Sequence, residues 1–175
     1  MSSSKFSRLI VIAASLLCSP GLVHAAIDTY QWQLEAIVDV TATIAGKTIK
    51  LRNQTLSALD AVFENDQQFV MNNPHWQLSG TWSQTKNRFQ LLLSDDSARR
   101  LLSTLEHDLL AQSNLGVQLT AKSHQGIGSE KQSPTPRIQG RLPIKATLLF
   151  PAYSTKKGSL TFDIRFTGQP ATVKP

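Results

Sequence analysis

The sequence has a single cysteine, Cys18, among its 175 residues. One thiol excludes an intramolecular disulfide and any metal site built from several thiolates. Histidine is also scarce, and His75, His107 and His124 do not stand at the spacing of a local metal-ligand motif. We therefore predict that the protein has no metal ligands and no other cofactor.

Motifs of nucleophilic and phosphate chemistry are absent as well. There is no Gly-x-Ser-x-Gly elbow, and no Ser-x-x-Lys occurs together with its companion motifs. The Gly126-Ile127-Gly128 stretch lacks the strand-to-helix context of a phosphate loop. We predict no catalytic residues and a non-enzymatic protein; an enzyme with an unrecognised site is the third of our hypotheses.

Long hydrophobic runs are missing too, and the longest lies near the N-terminus. Lys5 and Arg8 precede the ten-residue run Leu9–Cys18, which Pro20 ends before small residues at Ala25-Ala26. Ten residues are too few to cross ~30 Å of hydrocarbon, and this order is that of a secretory signal. The sequence predicts a signal peptide over 1–25, a periplasmic or secreted location, a single domain over 26–168 and a flexible tail over 169–175.

Charge is unevenly distributed along the remaining chain. Residues 26–111 carry seven bases and ten acids, whereas residues 112–175 carry nine bases and two acids. Such asymmetry suggests an anionic partner for the C-terminal half, but it also serves solubility. Because the protein is expected to be exported and aromatic residues are not interleaved with the cations, we exclude nucleic acid as a partner.

Alternation of apolar and polar residues dominates the pattern. From Tyr30 to Ile44 every even position is apolar, and similar alternation recurs near 49, 76–82, 89–93, 115–121, 138–150 and 160–166. This period predicts about seven half-buried strands joined by short turns. Leucines and an alanine recur at helical spacing between Ala98 and Leu110, which predicts one amphipathic helix beginning near Asp95. The fold class is therefore mainly β: an antiparallel, strongly curved sheet or open barrel covered or plugged by the helix.

Three segments give less regular signals. Residues 57–74 combine helical spacing with an Asn-Asn-Pro turn, so we expect one or two helical turns there. Residues 123–136 are rich in Gly, Ser and Pro, and we expect an exposed loop. Pro143 interrupts an otherwise regular strand pattern, which predicts an edge strand or a bulge.

Candidate binding residues fall on the two faces of the predicted strands. Trp32, Trp76 and Trp82 occupy inward positions, where they either line a ligand pocket or fill the core. Arg137, Arg141 and Lys145 occupy the outward positions of one strand, where Lys122 and Arg165 are expected to join them. These cations either meet an anionic head group or form a solvated face.

Our leading hypothesis is an exported binding protein for an apolar or amphiphilic small molecule, with an anionic membrane surface as a further partner. The candidate site consists of three tryptophans and three cations: Trp32, Trp76, Trp82, Arg137, Arg141 and Lys145. The second hypothesis is a structural or interaction protein of the cell envelope with a fully packed core and an envelope protein as its partner.

Overall fold

The computed structural model describes residues 30–64, 67–74, 76–113, 116–131, 136–151 and 157–171. The predicted signal peptide and most of the predicted tail lie outside these ranges, but the last strand continues to Pro170, beyond Gly168 where we placed the end of the domain. Among the described residues, no helix has both the length and the apolar character needed to cross a membrane.

The described ranges hold nine strands and one helix, so the prediction of a mainly β antiparallel fold is confirmed. The strands are β1 (Tyr30–Ile44), β2 (Lys47–Phe63), β3 (Gln68–Asn73), β4 (Trp76–Thr85), β5 (Arg88–Leu93), β6 (Gln118–Ser123), β7 (Gln125–Lys131), β8 (Arg137–Leu149) and β9 (Lys157–Pro170). The helix α1 (Asp95–Ser113) lies between β5 and β6 in the chain.

The sheet closes into a barrel because β9 pairs with β8 on one side and with β1 on the other. Neighbouring strands follow one another in the chain around the barrel, and every pairing is antiparallel. β6 and β7 both pair with β8, end to end, and together they take one position in the wall. The barrel therefore has eight positions.

Alternation places one side of each strand inside the barrel. Along β1 the even positions from Trp32 to Ile44 are buried, and along β9 the even positions from Leu160 to Gly168 are buried. The middle of the barrel is filled by side chains with no exposure: Val38, Val40, Leu142, Ile144, Phe162 and Ile164. Burial of this apolar set is the main source of stability, at roughly 25 cal/mol per Å².

Helix α1 fills a gap in the wall at the end of the barrel where β5 stops. Ser94 caps its N-terminus, since Ser97 N donates to Ser94 Oγ at 3.2 Å. Ser97 Oγ accepts from Ser79 N on β4, and the Glu106 carboxylate accepts from Leu119 N on β6. The helix thus provides hydrogen bonds to two strand edges that lack a strand neighbour there.

Two segment predictions are wrong. Residues 57–63 belong to β2, not to helical turns, because two register shifts in the β1–β2 pairing displace the inward residues from strict alternation. Residues 125–131 form β7, not a loop, and pair with both β5 and β8. Pro143 pairs with Asp163 of β9 on one side and stands opposite the junction of β6 and β7 on the other, so it lies neither in an edge strand nor at a register shift of the pairing.

Two interior glycines make room for aromatic rings. Phe89, Gly128, Gly140 and Phe166 are paired in register across β5, β7, β8 and β9. A Cβ on Gly128 would stand 2.1 Å from Phe89 Cζ, and one on Gly140 would stand 2.4 Å from Phe166 Cζ. The two rings therefore lie over the glycines, with centroids 6.5 Å apart.

Candidate functional site

The end of the barrel opposite α1 carries a small aromatic cavity, which we call the aromatic mouth. It is lined by residues from six strand ends: Trp32, Phe63, Trp82, Gln84, Phe89, Glu130 and Ile138. All of them occupy the inward positions of their strands, near the beginning of β1, β5 and β8 or the end of β2, β4 and β7. The antiparallel order brings these ends together because alternate strands start and stop at the same rim.

The rings that line the mouth meet one another at steep angles, while Phe63 also stacks on Phe69 at 28° and Phe89 on Phe166 at 25°. The Phe63 ring meets the Trp82 ring at 5.4 Å and 80°, and the Phe89 ring at 5.9 Å and 62°. Trp82 Nε1 donates to the Glu64 carbonyl at 3.0 Å, so its polar edge is satisfied and its orientation is fixed. Contacts at steep angles are favourable between aromatic rings, and they turn the rings that line the cavity in different directions.

The rim of the mouth is polar. Gln84 Nε2 donates to Glu130 Oε2 at 2.8 Å and to the Lys86 carbonyl at 3.0 Å. Glu130 is half-buried, and it is the single charged side chain among the described residues that line this cavity. The mouth therefore combines apolar walls with a carboxylate at its edge.

The cavity has a volume of about 230 Å³. It does not continue down the barrel, because Leu91 and Leu142, which lie further in along β5 and β8, are 1% and 0% exposed. A ligand could insert a single ring or a short branched chain, since a cavity of about 150 Å³ accepts benzene.

The structure places two of the three candidate tryptophans in this mouth. Trp32 and Trp82 line the cavity. Trp76 begins β4 at the helix end, and six residues of strand separate it from Trp82 by about 20 Å. Trp76 packs against the core, so one ligand at the mouth cannot contact all three indoles.

The three candidate cations lie on the outer face of β8 and not at the mouth. Arg137, Arg141 and Lys145 are all exposed. They are spaced four residues apart, so the first and the last are separated by about 26 Å. No single small head group can contact all three.

Acidic residues accompany these cations on the outer face. Arg141 Nε donates to Asp163 Oδ1 at 2.5 Å, and Arg165 pairs with Asp39 at 2.9 Å. The hydrogen bond that Arg141 donates to Asp163, and then the negative charge of Asp163, raise the pKa of Arg141 above its ordinary value. The charge asymmetry of the sequence is thus partly cancelled in space, because the basic β9 pairs with the acidic β1.

Phe63, Phe89 and Glu130 are mouth residues that our sequence reasoning did not propose as a site. Phe63 and Glu130 fall in the segments that we predicted as helical turns and as a loop. Phe89 stands in a predicted strand, but its nearness to Trp32 depends on closure of the barrel. Several predicted strands carry an aromatic residue at an inward position near one end, and this pattern could have predicted the cluster.

Within the described part of the chain, no three His, Cys, Asp or Glu side chains gather as metal ligands would. No protein-family model matches the sequence, and no curated protein matches it either.

Proposed function

We propose that the protein is an exported, non-enzymatic binding protein whose aromatic mouth holds the apolar end of a small amphiphilic ligand. The observation that carries this proposal is a cavity of about 230 Å³ walled by four aromatic side chains at one end of a closed barrel. Ligand sites of barrels commonly lie at the mouth, and their walls are mostly apolar with a few polar groups. Gln84 and Glu130 are those polar groups here.

The volume of the cavity limits the size of the part of the ligand that can enter it. Sites that enclose whole drug-sized molecules have volumes of roughly 300–1,000 Å³, which is more than this mouth offers. The fully buried residues in the middle of the barrel prevent a long chain from entering further. The ligand therefore inserts one ring or a short branched chain, and its polar part stays at the rim.

Export rests on the N-terminal sequence. Cleavage after Ala25 would release a chain that begins at Ala26, four residues before β1. We expect the intact mass of protein purified from the periplasm or the medium to correspond to residues 26–175. A mass that retains residues 1–25 in an extracellular or periplasmic fraction would contradict the cleavage.

Binding is tested by filling the cavity. In a Trp76→Phe background the remaining indoles are Trp32 and Trp82, both in the mouth, so emission reports on the cavity. We expect benzene to shift this emission and to raise Tm, since a ligand that binds only the folded state stabilises it. Ile138→Phe puts a ring into the cavity and should abolish both effects.

The matched control is Ile127→Phe, which makes the same substitution at an outward position of β7 where the side chain is 67% exposed. It should leave the benzene response unchanged. A response that survives Ile138→Phe in a folded protein, or one that Ile127→Phe removes equally, would contradict binding at the mouth.

The second candidate, a structural or interaction protein of the envelope, is supported by the packed core and by an exposed apolar pair. Leu92 and Ile127 project outward from the paired strands β5 and β7 and are 47% and 67% exposed. The pair is far smaller than a typical docking patch of several hundred Å². Absence of any benzene response in the parent protein would make this candidate the better account.

A further inference from the structure

We infer that the ligand of the aromatic mouth is an organic cation, with an ammonium group held by the rings and by Glu130. This inference rests on the proposed function, because it needs the mouth to bind a ligand. It names the chemistry of that ligand, and it differs from the anionic head group suggested by the charge of the C-terminal half.

The first argument is the charge of the lining. Glu130 is the one ionisable group among the described residues around the cavity, and no Lys or Arg lines it. Lys86, Arg88, Lys131 and Arg137 stand within two residues of lining residues in the sequence, but all four are exposed and none lines the cavity. Arg137 borders a groove on the outer face together with Glu35 and Asp60. An anionic ligand in the mouth would face a carboxylate without a counter-charge, whereas a cation would be complemented by it.

The second argument is the arrangement of the rings. An ammonium group is attracted to the electron-rich faces of aromatic rings within about 6 Å, and several rings at steep angles form the cages that recognise quaternary ammonium groups. In the mouth Phe63 stands at 80° to Trp82 and at 62° to Phe89. Trp32 adds a second indole to the walls, and indole is the strongest ring partner of a cation.

The third argument is preorganisation. The Trp82 indole is fixed by its hydrogen bond to the Glu64 carbonyl, and the Glu130 carboxylate is held at the rim by Gln84. Gln84 uses both N–H groups, on Glu130 and on the Lys86 carbonyl. An ionised carboxylate has about four acceptor positions, so one bond from Gln84 leaves its charge and most of its acceptor positions available to a bound ammonium compound.

The test compares choline with 3,3-dimethylbutan-1-ol, which has the same shape with carbon in place of the charged nitrogen. Emission of Trp32 and Trp82 is followed in the Trp76→Phe background. We expect choline to bind at least about tenfold more tightly than the neutral alcohol, as cation–π attraction and the carboxylate together imply. Ile138→Phe should abolish binding of both probes.

Glu130→Gln removes the charge but keeps an oxygen that can accept from Gln84. We expect it to weaken choline binding at least about fivefold and to leave the neutral alcohol unaffected. Glu35→Gln is the control, because it makes the same change in net charge on the outer face of β1. It should alter neither affinity.

Equal affinity for choline and the alcohol, or no effect of Glu130→Gln, would overturn the cation inference while leaving the proposed function intact. Failure of both probes while benzene still binds would also overturn it. Failure of benzene as well would overturn the proposed function. Sedimentation with phosphatidylcholine vesicles distinguishes the two sources of the ammonium group. If the protein sediments with the vesicles and Ile138→Phe prevents this, the ligand is a lipid head group. If the protein binds choline but does not sediment with the vesicles, the ligand is a free ammonium compound.

Discussion

Gly80→Ala should lower the free energy of unfolding by about 3 kcal/mol or more, the largest effect that we expect from a single methyl group in this protein. A Cβ on Gly80 would stand 2.1 Å from the Leu92 carbonyl oxygen and 2.8 Å from Leu93 Cα. Both obstacles are backbone atoms of β5, so rotation of a side chain cannot relieve the overlap.

The backbone at this point is also held from both sides. Leu93 N donates to the His124 carbonyl at 3.1 Å, and Ser94 N donates to the Ser79 carbonyl at 2.9 Å. Moving β5 away from Gly80 would lengthen the bond from Ser94 N to the Ser79 carbonyl and push Leu93 against His124 on the other side. The measurement is urea unfolding followed by fluorescence, with the slope checked for two-state behaviour.

Gly116→Ala is the matched control, because a Cβ there meets nothing within 4 Å. Its effect should stay within about 0.5 kcal/mol. If Gly80→Ala lowers the free energy of unfolding no more than Gly116→Ala does, β5 does not approach β4 as closely as described.

Ser97→Ala should lower the free energy of unfolding by about 2 kcal/mol, because two partly buried backbone groups lose the hydroxyl that they bond to. Ser97 is fully buried, and its hydroxyl accepts from Ser79 N at 3.0 Å and donates to the Gln77 carbonyl at 3.3 Å. Amide exchange at Ser79 should accelerate by more than at amides in the middle of the barrel, since the bond that protects it is lost.

Ser103→Ala makes the same change on the exposed side of α1 and should leave stability unchanged or slightly raised, because alanine has the higher helix propensity. If Ser97→Ala and Ser103→Ala were equally tolerated, the hydroxyl of Ser97 would not be joining the helix to β4.

Much of the fold follows from the sequence, where packing and local pattern agree. β1 and β9 are buried on one face and regular in register with each other, so their alternation is visible in the residues. Helix α1 carries its cap at Ser94 and its buried stripe within one segment. Local rules suffice for these elements.

The same local rules failed to predict β2 and β7, and the reasons are physical. Bulges shift the inward set of β2, so Leu56 and Leu59 are both buried at a spacing of three, which imitates a helix. In β7, Gly126 and Gly128 read as loop residues, yet they stand in the strand because a larger side chain would collide with neighbours across the sheet. Neither cause can be seen without the partner strand.

The candidate site was predicted only in part. Trp32 and Trp82 were found because strand alternation places them inward, but Trp76 obeys the same alternation at the far end of the barrel. Position along the barrel axis depends on how strands align with their neighbours, which the residues of one strand do not encode. Glu130 could not be joined to the aromatic residues until β7 was recognised as a strand.

Closure of the barrel by its first and last strands has a consequence for how the chain folds. β1 pairs with β9 over thirteen positions, and the Arg165–Asp39 bridge joins residues 126 apart in sequence. Contacts of such long range make folding slow, in the range of milliseconds to seconds for β-rich domains. Until β9 arrives, β1 presents an unpaired edge that can recruit other chains. The aromatic mouth includes Trp32 of β1 and Ile138 of β8, and β9 joins these two strands, so the wall of the mouth is complete only when β9 has paired with both.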